Sequence, residues 1–462
     1  VAIANLDRLI VRDPDDGAIV GELAITPSSQ IEQALETASE AGRRTPPPAH
    51  ARARILETVA GTVEAEAEIY ARLIATEGIK TIREARMEVR RCVVTLRLGA
   101  EEARRIGGGV VPFDQAPAGE DRQGWYQLVP AGPVLAITPF NDPLNLVAHK
   151  LAPAMALGAP VILKPHPQTP FSALRLHRAF LDAGAEPQRM QIVIGHGDAG
   201  AAMVKDGRIR VVSFTGGRQA GAAVAATAGL KRLLMELGGV GVVAVDEGVD
   251  LDAVADAIDS GAFFAAGQNC VHAQRIIAHR AVATGLRDRL VERAAKRCTG
   301  PKLDPATDVG PIVDDSAADH VMAMIAAARD GGTVLTGGTR SGRHIAPTWI
   351  ELDAPTHFLA SAEIFGPVAT LETADGRDDL LDRIAAAPDA INVAIFTPSL
   401  NTALAVRERA RAAAVIVNDS TDFRIDAMPF GGTGGAGLGR EGVADAIEAM
   451  AEKRLFVLRR SA

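Results

Sequence analysis

Residues 134–164 read VLAITPFNDPLNLVAHKLAPAMALGAPVILK. A short apolar, β-branched run, Val134–Thr138, leads through a helical stretch, Leu146–Leu157, to a second apolar run, Val161–Lys164. Strand, helix and strand in so short a span form a βαβ unit and imply a parallel sheet. The pattern continues outward. Ser172–Ala183 reads as a helix, Gln191–Ile194 and Arg210–Phe214 as strands, and Gln219–Ala228 as an Ala-rich helix. A second series starts at Gly241–Val245 and runs through Arg275–Ala278 to Ala413–Val417. Two α/β domains are therefore expected, with ligands at the carboxyl ends of their strands. Pro117–Gln127 is polar, rich in turn residues, and interrupts the first domain. Arg454–Arg459 reads as a lone terminal strand that pairs outside the main sheets, a neighbouring subunit being one place for it. The N-terminal part reads as mostly helical, for example Ile31–Gly42 and Ala51–Ala75, and carries no nameable chemical motif.

The chain has 462 residues, and at roughly 100–200 residues per domain it holds more than one. Apolar residues make up 47% and aromatics only 4%, so Ala, Val, Ile and Leu must fill the core. Lys and Arg number 49 against 57 Asp and Glu, a net charge of −8 that disfavours nucleic acid as a main partner. Three cysteines, Cys92, Cys270 and Cys298, make neither a disulfide framework nor a CxxC zinc pair. A reducing, cytoplasmic setting is expected. The opening VAIANLDRLIVRDPDDG lacks the basic-then-apolar order of a signal peptide. The longest uncharged stretches, Leu128 to Asn141 and Leu151 to Leu163, are cut by Pro and Gly, so no membrane span is expected. No metal cluster is visible, and no catalytic metal is expected.

Three glycine patterns compete as a phosphate site. Gly195-His-Gly197-Asp-Ala-Gly200 matches GxGxxG after a strand, but Thr215 stands where an acidic ribose ligand would be, and a tight strand-to-helix turn explains the glycines equally. Gly432-Thr-Gly434-Gly435-Ala-Gly437 matches too, but no strand runs into it, and it reads as an irregular loop. Phe214-Thr-Gly216-Gly217-Arg218-Gln-Ala-Gly221 leaves a strand and enters a helix, whose N–H groups could face a pyrophosphate.

Three side chains stand out. Cys270, in Ala266-Gly-Gln-Asn-Cys270, is either a small buried hydrophobe or a nucleophile approached through small polar neighbours. Glu236, in Leu233-Leu-Met-Glu236-Leu-Gly-Gly, is either a satisfied ion pair or a general base whose pKa burial has raised. Asn141, after a strand, is either a turn cap or an oxyanion donor.

Together these motifs resemble the aldehyde dehydrogenase superfamily. The likeness covers nearly the whole chain: ITPFNDP around Asn141, LKPHPQTP around Lys164, FTGG at 214–217, MELGG around Glu236, GQNC ending at Cys270, EIFGPV at 363–368 and MPFGG at 428–432. The resemblance implies two Rossmann-like doubly wound domains and a small β oligomerisation element. The cofactor-binding domain would be 1–112 with 132–238, the catalytic domain 239–435, and the oligomerisation element 113–131 with 436–462. It implies a homodimer or homotetramer acting on a small aldehyde. The Cys270 thiolate would attack the aldehyde, Asn141 and the Cys270 N–H would hold the oxyanion, and Glu236 would activate water to release the acid. Lys164 and Glu363 would hold the two riboses of NAD or NADP. Phe365 would pack on the nicotinamide, with Thr138, Pro139, Phe214, Gly216, Gly217, Gly221 and Leu237 completing the cofactor site.

The chain departs from the family pattern in places. Pro167 replaces a Glu common in NAD-preferring relatives, so acceptance of NADP is expected, with Lys164, His166 and Arg218 as candidate donors to its phosphate. Gly434 replaces a frequent Lys. Asp142, Asn269 and Arg424 are the candidate substrate residues, and an Asp142–Arg424 pair is expected to bind a polar, hydroxylated aldehyde of the hydroxy-, phosphono- or lactaldehyde kind; a solvated Arg424 is the plainer reading. Two other functions stay open: a coenzyme A-acylating dehydrogenase, against which Glu236 argues, and an inert binding relative.

Overall fold

The computed structural model describes residues 7–460. In the opening βαβ unit, Val134–Ile137 and Val161–Lys164 are parallel neighbours, Val134 opposite Val161 and Ile137 opposite Lys164. Every residue of the connecting helix Asn145–Leu157 is buried, including Asn145, His149 and Lys150. The helix stops at Gly158, whose φ of +80° places it in the left-handed region that glycine occupies without strain.

These strands sit in a six-stranded sheet ordered Gly437–Leu438, Arg232–Leu237, Val211–Gly216, Val134–Ile137, Val161–Lys164, Met190–Ile192. Only the Gly437–Leu438 pairing is antiparallel. The strand order reverses beside Val134–Ile137, so a crevice opens at the carboxyl ends of that strand and Val211–Gly216. The second sheet has seven strands: Gly332–Thr336, Thr348–Leu352, Val368–Ala374, Ala273–His279, Gly241–Val245, Ala390–Phe396 and Ala412–Val417. All its pairs are parallel except the first. Separate apolar clusters fill the spaces between the sheets and their helices.

Several expectations are corrected here. The terminal strand is longer than expected, Ala451–Arg459, and pairs within its own chain, antiparallel to Arg122–Pro130. With Gly108–Val111 they form a three-stranded sheet. The polar Pro117–Gln127 stretch therefore holds six of the nine residues of that strand, Arg122–Gln127, where the aromatic Trp125 and Tyr126 were outweighed by turn residues. Gly437–Leu438 joins the six-stranded sheet instead of the three-stranded one, and helix Val443–Met450 packs into the core of the N-terminal helices. Ala51–Ala75 is two helices, Ala49–Ala65 and Ala67–Glu77, parted at Glu66. The hairpin Arg8–Arg12 with Ile19–Ala24 was not anticipated. Part of the acidic opening, residues 1–6, lies outside the described residues.

One buried lysine ties three distant segments together. The Lys302 ammonium donates to Asp13 Oδ1 at 2.6 Å and to the Gly78 carbonyl at 2.8 Å. Its backbone N–H donates to Asp15 at 2.9 Å, and its carbonyl accepts from Ile82 at 2.8 Å. Removing a buried charge from such a cluster leaves its partners unpaired, at about 3–5 kcal/mol. Lys302→Met is therefore expected to lower unfolding stability by about that amount. A guanidinium unfolding midpoint equal to that of the wild type would contradict this.

Candidate active site

Cys270 is carried by a loop with unusual backbone. Ala265 and Ala266 both have φ +52° and Gly267 has φ +68°, three left-handed residues in succession. A Cβ at Gly267 would overlap the Gly366 carbonyl. Gln268 pins the loop: its amide donates to Pro311 O at 3.0 Å and accepts from Val313 N at 3.0 Å. Asn269 is engaged at both ends, donating to Phe264 O at 3.3 Å and accepting from Val271 N at 3.1 Å. It shapes the loop more than it faces a ligand. The Asn141 amide donates to Gln268 O at 2.9 Å, which brings it to the approach of Cys270.

Glu236 lies in the strand Arg232–Leu237, buried, with neither carboxylate oxygen hydrogen-bonded. Burial pushes its carboxyl well above the ordinary range, and the nearby Glu441 adds to the shift; Lys150, Arg424 and Arg440 oppose it. Burial likewise pushes the Cys270 thiol up to about 12, with Glu236 adding and Arg424 opposing. Behind them sits a buried ion pair. Lys150 donates to Glu441 at 2.8 Å, Thr215 at 2.8 Å and Ser213 at 3.1 Å. Burial alone would raise the Glu441 carboxyl, but Lys150, His149 and Arg424 outweigh it and hold it low.

The expected Asp142–Arg424 pair is not formed. Asp142 is bonded to the buried Lys80, and Arg91 lies 3.8 Å from its other oxygen. Arg424 instead stacks on Phe430, its guanidinium carbon 3.6 Å from the ring centroid, with Nη2 3.2 Å from His149. Its Nε is buried without a partner. It is half-buried, not solvated, and lies within electrostatic reach of both Cys270 and Glu236. Asp426 gathers Arg91 at 2.9 Å, Asn145 at 3.0 Å and His149 at 3.0 Å. Lys80, Arg91, His149, Lys150, Asp426 and Glu441 were all missed from sequence. A signal existed for two of them, since His149 and Lys150 interrupt an otherwise apolar helical run.

The cofactor candidates line the carboxyl edge of the six-stranded sheet. Thr138, Pro139, Lys164, Gly216 and Leu237 end or follow parallel strands. Phe214 is buried in the core beneath them. Gly217 is the exposed N-cap of helix Arg218–Ala228, and a side chain at Gly221 would overlap Leu237, so only glycine lets that helix lie close. Lys164 is buried, yet its ammonium has only the Pro165 carbonyl, at 3.4 Å. Burial lowers it to about 8. A buried ammonium so poorly matched fits a site that takes a hydroxyl-bearing ligand. Glu363 accepts from Gly239 N at 3.1 Å, and Phe365 stands edge-on to Phe140 with centroids 6.0 Å apart. Arg218, a candidate phosphate donor, is committed elsewhere, to Gly238 O at 2.6 Å and Asp389 O at 2.8 Å. Burial lowers His166 to about 4, so it offers a neutral donor and no charge. Gly200 of the GxGxxG match packs on the Lys164 side chain, so that motif supports the lysine from a strand-to-helix turn. Gly434 also finds its reason. Its φ is +52°, and any Cβ there would overlap the Asp389 carboxylate, which accepts from Gly435 N at 2.9 Å. Among the described residues no group of three or more His, Cys, Asp or Glu is placed to hold a metal, and no helix is long and apolar enough to cross a membrane.

The model of the aldehyde dehydrogenase family matches residues 3–455. The chain is 42% identical over 451 residues to aspartate-semialdehyde dehydrogenase 1 of Pseudomonas canavaninivorans, covering 97% of this chain and 96% of that one. It is 34% identical to 3-sulfolactaldehyde dehydrogenase of Priestia megaterium, covering 95% and 92%. Among solved structures, glyceraldehyde-3-phosphate dehydrogenase GapN of Methanocaldococcus jannaschii, complexed with NADP, superposes with a TM-score of 0.93 at 30% identity, covering 99% and 100%.

The electrostatics generate a pH prediction. With the thiol raised, alkylation of Cys270 by iodoacetamide in the cofactor-free protein should climb roughly tenfold per pH unit from about pH 7 to about pH 9. Glu236→Gln removes an acid that raises the thiol pKa and should shift the profile to lower pH. Arg424→Met should shift it to higher pH. A flat rate across that range would contradict the environment described.

Proposed function

Since the chain belongs to the aldehyde dehydrogenase family, we propose that it oxidises a small anionic aldehyde to its acid through a cysteine thioester, with hydrolysis driven by Glu236. The reading is carried by the unpartnered carboxylate of Glu236, buried within electrostatic reach of Cys270. An acid so placed lacks the partners of a structural ion pair and has the raised pKa of a general base working near neutrality. A thioester destined for coenzyme A would need no such group.

In this mechanism Cys270 Sγ, as thiolate, bonds to the aldehyde carbon. The Cys270 N–H and the Asn141 amide receive the oxygen as it gains charge, each such donor being worth about 3–4 kcal/mol. NAD(P) supplies the hydride acceptor when bound, with Lys164 and Glu363 holding its two riboses. Glu236 then takes a proton from water, the hydroxyl oxygen bonds to the thioester carbon, and the bond from that carbon to Sγ breaks, releasing the acid and the Cys270 thiolate. Lys150 and Arg424 temper the burial of Glu236 so that it can lose its proton at working pH.

Arg424 is the residue proposed to meet the anionic group. Its unpartnered Nε supports this, as do the names of several relatives, which denote aldehydes that carry an acid group, whereas the lactaldehyde of other relatives carries none. Asp142 and Asp426 do not repel such a substrate, because Lys80 and Arg91 neutralise them. NADP is accepted as well as NAD, because Pro167 presents no carboxylate to a 2′-phosphate; Lys164 is the cation available to it. A homodimer or homotetramer in the cytoplasm is proposed, built through the exposed Leu455, Phe456, Val457 and Leu458 of the terminal strand. The division into cofactor, catalytic and oligomerisation parts is proposed to centre on the three larger sheets, with Gly108–Val111 moved to the oligomerisation part and Gly437–Leu438 to the cofactor part.

Reduced-cofactor absorbance tests the reading, with aspartate semialdehyde, succinic semialdehyde, glyceraldehyde 3-phosphate and propionaldehyde as substrates. Cys270→Ala is expected to abolish turnover. Glu236→Gln should leave a stoichiometric burst and slow the steady state by about 10²–10⁴-fold. Arg424→Met, which also raises the Cys270 thiol and Glu236, should slow turnover of all four aldehydes but raise KM only for the charged ones. An equal rise in KM for charged and neutral aldehydes would defeat the anionic-substrate reading, and steady turnover of Cys270→Ala would defeat the mechanism.

A further inference from the structure

Helix Ile82–Arg105 belongs to the region in which sequence showed no chemistry, yet it reaches both loops of the active site. It opens with a capping box: Glu84 accepts from Thr81 N at 2.9 Å, and Thr81 Oγ1 accepts from Glu84 N at 3.4 Å. The other oxygen of Glu84 is not needed for that cap. It accepts from the backbone N–H of Ala265 at 2.7 Å, at the first left-handed residue before Cys270. One helical turn later, Glu88 Oε1 accepts from Leu144 N at 2.7 Å and Asn145 N at 3.0 Å, directly after the Asn141 loop. Its other oxygen accepts from Lys80 at 2.8 Å, and Lys80 in turn holds Asp142. Both glutamates are buried.

Residues four apart on a helix lie one above the other, about 5–6 Å between their Cβ atoms. Glu84 and Glu88 are therefore fixed relative to each other by the helix itself. One grips the loop that delivers the Cys270 N–H, and the other grips the loop that delivers the Asn141 amide. The hydrogen bond from Asn141 to Gln268 O closes the third side. Left-handed backbone at two alanines is sterically strained and persists only where surrounding contacts over-determine it. The Glu84–Ala265 bond is one such contact.

We propose that Glu84 and Glu88 are positioning residues that set the separation of the two oxyanion donors, a role that rests on Cys270 and Asn141 receiving the aldehyde oxygen. Burial raises the thiol most, and the charges that act on it most are Glu236, Arg424, Asp142 and Glu363; neither helix glutamate is among them. Their loss therefore leaves the nucleophile competent and misplaces the donors.

Two reagents for Cys270 separate these effects. Iodoacetamide is attacked at a saturated carbon: an S–C bond forms, iodide leaves, and no oxyanion develops. With p-nitrophenyl acetate the S–C bond forms through a tetrahedral oxyanion, and p-nitrophenolate leaves. In Glu84→Met and Glu88→Met, acylation by the ester and kcat with aldehyde are expected to fall roughly tenfold to a hundredfold. The iodoacetamide rate is expected to stay within about twofold of wild type, since the thiolate fraction is unchanged. Glu84→Gln keeps an oxygen that can accept from Ala265 and should recover much of the loss. If the Met variants do not fold, Glu84→Asp retains the charge, withdraws the oxygen by one methylene, and should show the same split. Equal loss with both reagents, or no loss with either, overturns the proposal. Acylation of Cys270→Ala at the wild-type rate would overturn the assignment of Cys270 itself, a separate outcome visible before any glutamate is changed.

Discussion

An ionisable carboxyl group held out of water with neither oxygen bonded is a constraint around which everything near it must be arranged. For Glu236 the desolvation of the ionised form is worth several kcal/mol, and no hydrogen bond offsets it. The chain tolerates this by giving the group a raised pKa, so that it can hold a proton when idle. Lys150 and Arg424 stand near enough to stabilise the anion when it forms. The second buried acid, Glu441, would make the position untenable if it also lacked a partner. Its direct bond to Lys150 keeps it ionised and quiet, and two hydroxyls, from Thr215 and Ser213, complete the lysine's shell.

The same logic governs the other end of the site. Lys80, Arg91 and Arg424 bring positive charge to the substrate side of Cys270, while Asp142, Asp426 and Glu88 answer it. Burial and the nearby Asp142 push the Glu88 carboxyl up, and Lys80 opposes them. Among the described residues Arg424 has no carboxylate bonded to it, and its side chain lies on Phe430. Stacking fixes the guanidinium plane.

The alternating strands and helices were legible because their periods are local: Gly241–Val245 matches residue for residue, and Asn145–Leu157 differs from its expectation at one end. Cys270, Glu236, Asn141 and Lys164 were legible through motifs of a few residues. The partners of these groups were not, because they come from far along the chain. Lys80 meets Asp142 across 62 positions, and Arg91 meets Asp426 across 335. Asp142 and Arg424 were paired from sequence because both flank the substrate side, but each had a nearer partner that only packing reveals. Glu84 and Glu88 were hidden for another reason. In IREARMEVRR they look like acids on a charged, solvated helix face, whereas that face is buried against the active-site loops. Arg218 shows the converse error, since a cation beside a glycine loop suggests phosphate, but two carbonyls already hold it.

The pairing of Ala451–Arg459 with Arg122–Pro130 has a consequence for synthesis. The central strand of the small sheet emerges from the ribosome long before the strand that covers it. At about 5–20 residues per second the wait is on the order of half a minute. During that interval Trp125 and Tyr126 lack their neighbours Phe456 and Leu455. Gly437–Leu438 and the helix Val443–Met450 also arrive last, so the first sheet waits for its edge strand as well. The nascent chain thus carries a half-built hairpin with one open side, Gly108–Val111 against Arg122–Pro130, through most of its translation.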